Sequence, residues 1–390
     1  MYKIVALNLD SSYSFKIFNN TTSLPAHWDT LANTTVFLSK KYLQVLETSS
    51  PANMACHYIG IFNQDDLIGI AITQFIDLNA LDNFGERDNS IKNRIRNFVF
   101  KKIASHVLII GNNMLTGQNS FSLSPNANPT KAIETLHEAV QELKNEFAQK
   151  GINIHITSFK DYNVHDFKLF KIPTFRNDFQ FSTQPNMIFT IDTNWHQETD
   201  YINSLSKKYR DQYKRGRKRA DGIEKRKLTL EEIKSLEDTI YQLYLYVAKN
   251  APFNTFFLPK NHFSSFKEQF KDKFLFYGYF LNGKLIGFNT LIKNGSVMDT
   301  YFLGYDETIQ REKMLYLNML YDMIAYSINK KFKKIVFART ALEIKSSVGA
   351  KPEKVFGLMR HESTFLNLLL PKAFRYLEPE TIWQERNPFK

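Results

Sequence analysis

The chain has 390 residues, 43% of them hydrophobic and 23% charged, with a formal net charge of +12. That length exceeds one comfortable core and points to two domains, and the composition excludes an intrinsically disordered chain. A single cysteine, Cys56, excludes an internal disulfide and a thiolate metal cluster, and no apolar run approaches the roughly 18 residues of a membrane span.

The opening "MYKIVALNLDSS" is too short in its apolar part for a signal peptide, so the expected location is cytoplasmic, with room for a peripheral role at the inner face of the membrane. The positive charge favours an anionic partner: a nucleic acid, a phosphorylated carrier or substrate, or an acidic membrane surface. Part of it follows from a Lys-, Asn- and Phe-rich composition. Cys56 lies in "NMACHYIGIF" and reads as a buried, inert thiol on a strand.

Two hairpins match in the two halves. "CHYIGIFNQDDLIGIAITQF" and "FLFYGYFLNGKLIGFNTLIK" each contain an aromatic strand, a polar turn beginning at Asn63 or Asn282, the tripeptide Leu-Ile-Gly, and a second strand. Both turns carry Asn, Asp or Gly, which tolerate the positive φ of tight hairpins. The first half adds a segment at roughly 80–128 and then a helix, a break and a strand in "AIETLHEAVQELKNEFAQKGINIHITSF".

The basic stretch from Ser204 to Lys227 follows, read as a helix to about Gly222 and then the strand "KLTL". Lys207, Lys208, Arg210, Lys214, Arg215, Arg217 and Lys218 spread around this helix too evenly for a buried side. The pattern suits a polyanion or a lipid phosphate, with Tyr209 and Tyr213 available for stacking. Ordinary solvated charge is the competing explanation.

"EEIKSLEDTIYQLYLYVAKN" and "FSSFKEQFKDK" are helices ahead of the second hairpin. After it, Leu315, Leu317, Met319, Leu320, Met323, Ile324 and Ile328 form a helical stripe that leads into the strand "KKIVFA". Hairpin, helix and strand thus recur in order, which predicts two copies of one α/β module: 1–185, and 186–390 with a basic linker helix at about 204–222.

This order, with "GKLIGFN", "DTYFLGYD" and "RTALEIKSSVGAKPEKVFGLMRH", resembles the GNAT acyltransferase module. Two copies around a basic helix are similar to the FemAB-like proteins, which include peptidoglycan aminoacyltransferases and bacterial lipid N-acyltransferases. The resemblance implies an α/β (α+β) fold of two tandem GNAT-like modules, each a mixed, mostly antiparallel twisted sheet flanked by helices. It implies acyl transfer to an amine, from acyl-CoA or an acyl-carrier protein, or from aminoacyl-tRNA onto a cell-wall precursor. No tightly bound cofactor is expected. GNAT modules hold the pyrophosphate of coenzyme A on a glycine-rich turn before a helix, and the matching "DETIQREKMLYLNML" has no glycine after Gln310 and Arg311.

Amide formation needs a group to deprotonate the amine, donors for the oxyanion and a proton for the leaving group. Glu343 is the expected base or ammonium anchor, Lys345 an anion or leaving-group contact, and Arg339 a bidentate holder of phosphate or carboxylate. Tyr305 is the expected proton donor, with Asp299 and Tyr301 flanking the same strand. Arg360 and His361 are expected to face the same cleft. The alternative for Glu343 is an ordinary surface ion pair. The histidines lack ligand spacing, so no metal site is expected, and no nucleophile triad is evident. Amine acceptors on a lipid fit the charge, and so does a non-catalytic protein that binds RNA or anionic lipid through the basic helix alone.

Overall fold

A computed structural model describes residues 13–81, 101–251, 254–377 and 382–390. The opening segment 1–12 and residues 82–100 of the inserted segment lie outside the described residues.

The first half supplies β1 (Tyr13–Phe18), α1 (Lys40–Ser49), β2 (Met54–Asn63), β3 (Asp66–Asp77), β4 (His106–Ile110), β5 (Phe121–Leu123), α2 (Pro129–Gln149), β6 (Ile156–Tyr162) and β7 (Phe179–Ser182). The second opens with β8 (Asn186–Thr190), α3 (Glu198–Ser204), α4 (Lys207–Arg219), β9 (Ile223–Lys227), α5 (Leu230–Ser235), α6 (Glu237–Lys249) and α7 (His262–Phe270). It continues with β10 (Phe274–Leu281), β11 (Lys284–Asn294), β12 (Val297–Tyr305), α8 (Glu307–Lys313), α9 (Leu315–Asn329), β13 (Lys334–Ala338), α10 (Leu342–Ser347), β14 (Lys351–Glu353), β15 (Phe356–His361) and α11 (Thr364–Leu377).

The two hairpins form as the sequence requires. Asn282 and Gly283 take φ of 52° and 75° in the turn between β10 and β11, the left-handed pair a two-residue hairpin needs. The glycine of each Leu-Ile-Gly is a close approach. A Cβ on Gly69 would sit 2.9 Å from Leu123, and one on Gly287 would sit 2.9 Å from Leu315 and Met319 of α9.

Two sheets result. The first runs β1-β2-β3-β4-β6-β15-β7, with β5 also on β3, and the second runs β14-β8-β13-β12-β11-β10-β9. In each, the pair after the hairpin is parallel (β4 with β6, β12 with β13) and most other pairs are antiparallel.

The division at 185/186 needs one correction. The second sheet does begin at Asn186, but β15 leaves it and lies between β6 and β7 of the first. The modules trade strands. β8 follows the first module and flanks β13, while β15 follows the second and flanks β6. One continuous core spans both, with Trp28, Tyr42 and Tyr58 of the first half in the same cluster as Phe263, Phe266, Phe276 and Phe288 of the second. α1 packs on α7 within it.

Two local readings also change. The strand after the basic helix is Ile223–Lys227, upstream of "KLTL", because Thr229 is already committed to capping α5. And the basic helix has a buried side: Tyr209 and Gly216 face inward, with Gly216 against Leu317 and Tyr321 of α9.

Candidate active site

β12 and β13 run parallel only from Val297–Asp299 against Lys334–Val336. Thr300 Oγ1 donates to Val336 O at 3.0 Å, and beyond it the strands part. The gap is a cleft of about 520 Å³, walled by Tyr244 and Val247 of α6, Tyr305, Tyr316, Arg339 and Lys345. That volume suits a small substrate or the end of a larger one.

The turn at the end of β13 is left-handed three times without glycine: φ is 57° at Ala338, 65° at Thr340 and 48° at Ala341. Each such residue costs about 1–2 kcal/mol. Lys345 clamps the turn from α10, its Nζ donating to Ala338 O at 3.3 Å and Arg339 O at 2.6 Å. Only 4% of Lys345 is exposed, and burial pulls its pKa down to about 7. A lysine there exchanges its proton near neutrality.

Arg339 lines the cleft and pairs with Asp161 at the end of β6, in the other sheet. Asp161 has φ of 70°, is buried, and also forms an ion pair with Lys160 Nζ at 2.7 Å. This carboxylate was not among the residues singled out in the sequence. Its signal was positional, since "SFKDY" ends β6 as "VFART" ends β13.

Tyr305 stands in the cleft wall, its ring 6.1 Å from that of Tyr246 and 6.4 Å from that of Tyr316. Tyr301 also lines the cleft, but its hydroxyl is held by His262. His262 Nδ1 donates to Ser49 O at 2.7 Å, so Nε2 accepts from Tyr301 at 3.0 Å. A substrate contact through that hydroxyl would break its bond to the buried His262, within the second module.

Four expected contacts lie elsewhere. Glu343 is exposed on α10 and pairs with Arg386, whose Nε donates to Oε1 at 3.0 Å; the helix turns it away from Lys345. Asp299 is buried at the closed end of the strand pair, accepting from Asn294 Nδ2 at 3.0 Å, and desolvation raises it to about 6. Arg360 and His361 travel with β15 into the first sheet. Arg360 Nε donates to Asp178 at 2.6 Å, and His361 Nε2 donates to Ile103 O at 2.9 Å while Nδ1 accepts from Ser363. Neither faces the cleft.

The basic helix divides by face. Lys207, Lys208, Lys214, Arg215 and Lys218 are exposed and Arg210 is half-buried. Arg217 points inward instead, donating to Asp322 at 2.7 Å and Glu198 at 2.9 Å, with its guanidinium 5.2 Å from the Tyr213 ring. Arg217 is a structural cation, and the outward-facing set is the other six.

Where GNAT modules place their glycine-rich turn, this chain has α8, with Asp306 accepting from the Thr308 amide at 3.0 Å. A helical turn with a carboxylate at its head does not fit a pyrophosphate. Among the described residues, no three His, Cys, Asp or Glu side chains are placed to hold a metal, and no helix is long and apolar enough to cross a membrane.

No protein-family model matches the sequence, and no curated protein matches it either. Solved structures do. The crystal structure of FemX superposes with a TM-score of 0.50 at 12% identity, over 85% of this chain and 94% of that one. A tandem GNAT protein from the clavulanic acid biosynthesis pathway gives 0.51 at 8% identity, over 90% of this chain and 99% of the other. At such identities the likeness is one of fold. The chain therefore has the tandem GNAT-like fold, Fem-like in its arrangement, with both modules present.

Proposed function

We propose that the protein is an acyltransferase that forms an amide in the cleft of its second module, by direct attack of an amine on an activated acyl group. The observation that carries this reading is the parted strand pair β12/β13, with buried Lys345 and Tyr305 in the walls of one cavity. In GNAT modules that opening admits the acyl donor.

The incoming ammonium loses a proton to Lys345, whose depressed pKa leaves a share of neutral amine at pH 7. The amine attacks the acyl carbon, and the C–N bond forms. Arg339 offers positive charge to the oxyanion or to an anionic part of the donor. The bond to the leaving sulfur or oxygen breaks as Tyr305 supplies its proton, and the second proton of the attacking nitrogen, shed as the amide forms, returns to the Tyr305 phenolate. Glu343, paired with Arg386, has no part in this.

The donor is best matched by an acyl thioester on a carrier protein, which needs no nucleotide cradle. Acyl-CoA fits less well, because α8 fills the place of the glycine-rich turn. The exposed basic face of α4 favours a second reading, an aminoacyl-tRNA donor and a cell-wall acceptor.

The test presents acyl-CoA, acyl-carrier protein and aminoacyl-tRNA in parallel, with a panel of amines, and follows carrier release. One donor should turn over, and Lys345→Met should abolish it. No turnover with any donor would leave a binding protein. A Lys345→Met enzyme with wild-type rates would remove Lys345 from the chemistry.

A further inference from the structure

A second cavity of about 360 Å³ lies in the first module, away from the cleft. Its floor is the face of β4, β6 and β15, with Val107, Ile109, Ile156 and Met359, and its roof is α11, with Leu366 and Leu370. The mechanism above uses none of these. One end is polar. Asn113, Lys160 and Thr255 meet there, with Asn113 Nδ2 donating to Thr255 Oγ1 at 2.8 Å.

That end is linked to the cleft by neighbouring residues and ion pairs. Thr255 lines the cavity and its neighbour Asn254 lines the cleft. Lys160 lines the cavity and pairs with Asp161, which pairs with Arg339 of the cleft wall. An apolar chamber with its polar mouth toward the reacting centre suits a molecule with a hydrocarbon chain and a polar head.

The roof helix carries an independent sign. Phe365 is 70% exposed, Leu368 74% and Leu369 39%, three of the five exposed large hydrophobics among the described residues. Their spacing puts them on one face of α11, and Lys372, one further turn on, is exposed, as is Arg375. An apolar face edged by cations is the pattern of a helix that lies in the interface of an anionic bilayer. Leu369 belongs to both surfaces, lining the cavity and facing outward.

We propose that α11 docks the protein on an anionic membrane and that the cavity beneath it takes one hydrocarbon chain of a bilayer lipid, presenting the lipid's polar head to the cleft. The amine acceptor is then a membrane lipid. That last step rests on the acyltransferase reading, whereas the docking and the chain-binding do not.

Two binding measurements test it without any transfer reaction. In the first, cis-parinaric acid is titrated into the full chain and its emission followed. Saturable binding is expected, weakened about tenfold or more, 1.4 kcal/mol per decade, when Val107→Phe fills the floor. Met359→Trp fills it from β15 and serves if the first variant does not fold. In the second, the protein is sedimented with equimolar phosphatidylcholine–phosphatidylglycerol vesicles. Wild type should co-sediment, and Phe365→Ser/Leu368→Ser should stay in the supernatant with an unchanged Tm. Absence of saturable emission, or folded cavity variants that bind as wild type, would overturn the chain site. Failure to co-sediment, or a solution dimer that the double variant dissolves, would overturn the membrane face. Lipid binding with no transfer would leave this site standing and remove the enzyme reading alone.

Discussion

Arg339, on the turn after β13, is paired with Asp161 at the end of β6, so the equivalent strands of the two modules are tied at their ends by one ion pair. Asp161 is buried and in a left-handed backbone conformation, and Lys160 shares its carboxylate. Removing one partner strands the other's charge in a low-dielectric place. Asp161→Ala is expected to cost on the order of 3 kcal/mol in urea unfolding and to lower transfer strongly. Replacing both partners by apolar residues, Asp161→Leu with Arg339→Met, should recover most of the stability and none of the activity. Recovery of both would make the pair purely structural.

Lys345 gives a pH signature. Folding takes its ammonium from the usual 10.5 to about 7 through burial. Between those values the unfolded chain holds the proton that the folded one has released, so this group makes stability rise with pH across that window. Below about 7 the full penalty for a buried cation applies. The Tm of Lys345→Met relative to wild type should therefore be highest below pH 7 and fall steadily toward pH 10. A flat difference would mean an ordinary, solvated lysine.

Glu343→Gln should keep wild-type transfer. Its partner Arg386 sits at the surface, and an exposed pair of this kind contributes under about 1 kcal/mol. Steady-state rates on whichever of the three donors turns over decide the matter, and a loss greater than the change in folded fraction would return Glu343 to the mechanism.

The two faces of α4 should separate in mutagenesis. Lys214→Glu/Arg215→Glu/Lys218→Glu is expected to weaken association with an anionic donor and flatten its salt dependence while leaving Tm in place. Arg217→Ala should do the reverse, lowering Tm because Glu198 and Asp322 lose their shared cation. Fluorescence anisotropy over a salt series, beside thermal melts, reads both.

The repeat was legible because it rests on local chemistry. The polar hairpin turns, the Leu-Ile-Gly approach and the stripe on α9 are all set by near neighbours, and all three form. Lys345 was legible as a charge behind a buried strand. Its role as a clamp was not, since it depends on the three left-handed residues that bring Ala338 O and Arg339 O to Nζ. Glu343 lies two residues away and was expected to join it, but one short helix separates their directions by a half-turn. Asp161 escaped because its partner is 178 residues distant by number and no local pattern announces it. Arg360 and His361 were misplaced for one reason: nothing in "KVFGLMRHE" says that β15 belongs to the other sheet.

That traded strand has a consequence for how the molecule comes into being. During synthesis the first sheet is assembled as far as β6 and then has to wait, with β7 unable to join, until β15 has left the ribosome. β8 is meanwhile committed to a partner, β13, that does not yet exist. Contacts so distant along the chain slow the closing step and leave β6 as an open edge in the interval. Neither module can be matured and passed on as a finished unit.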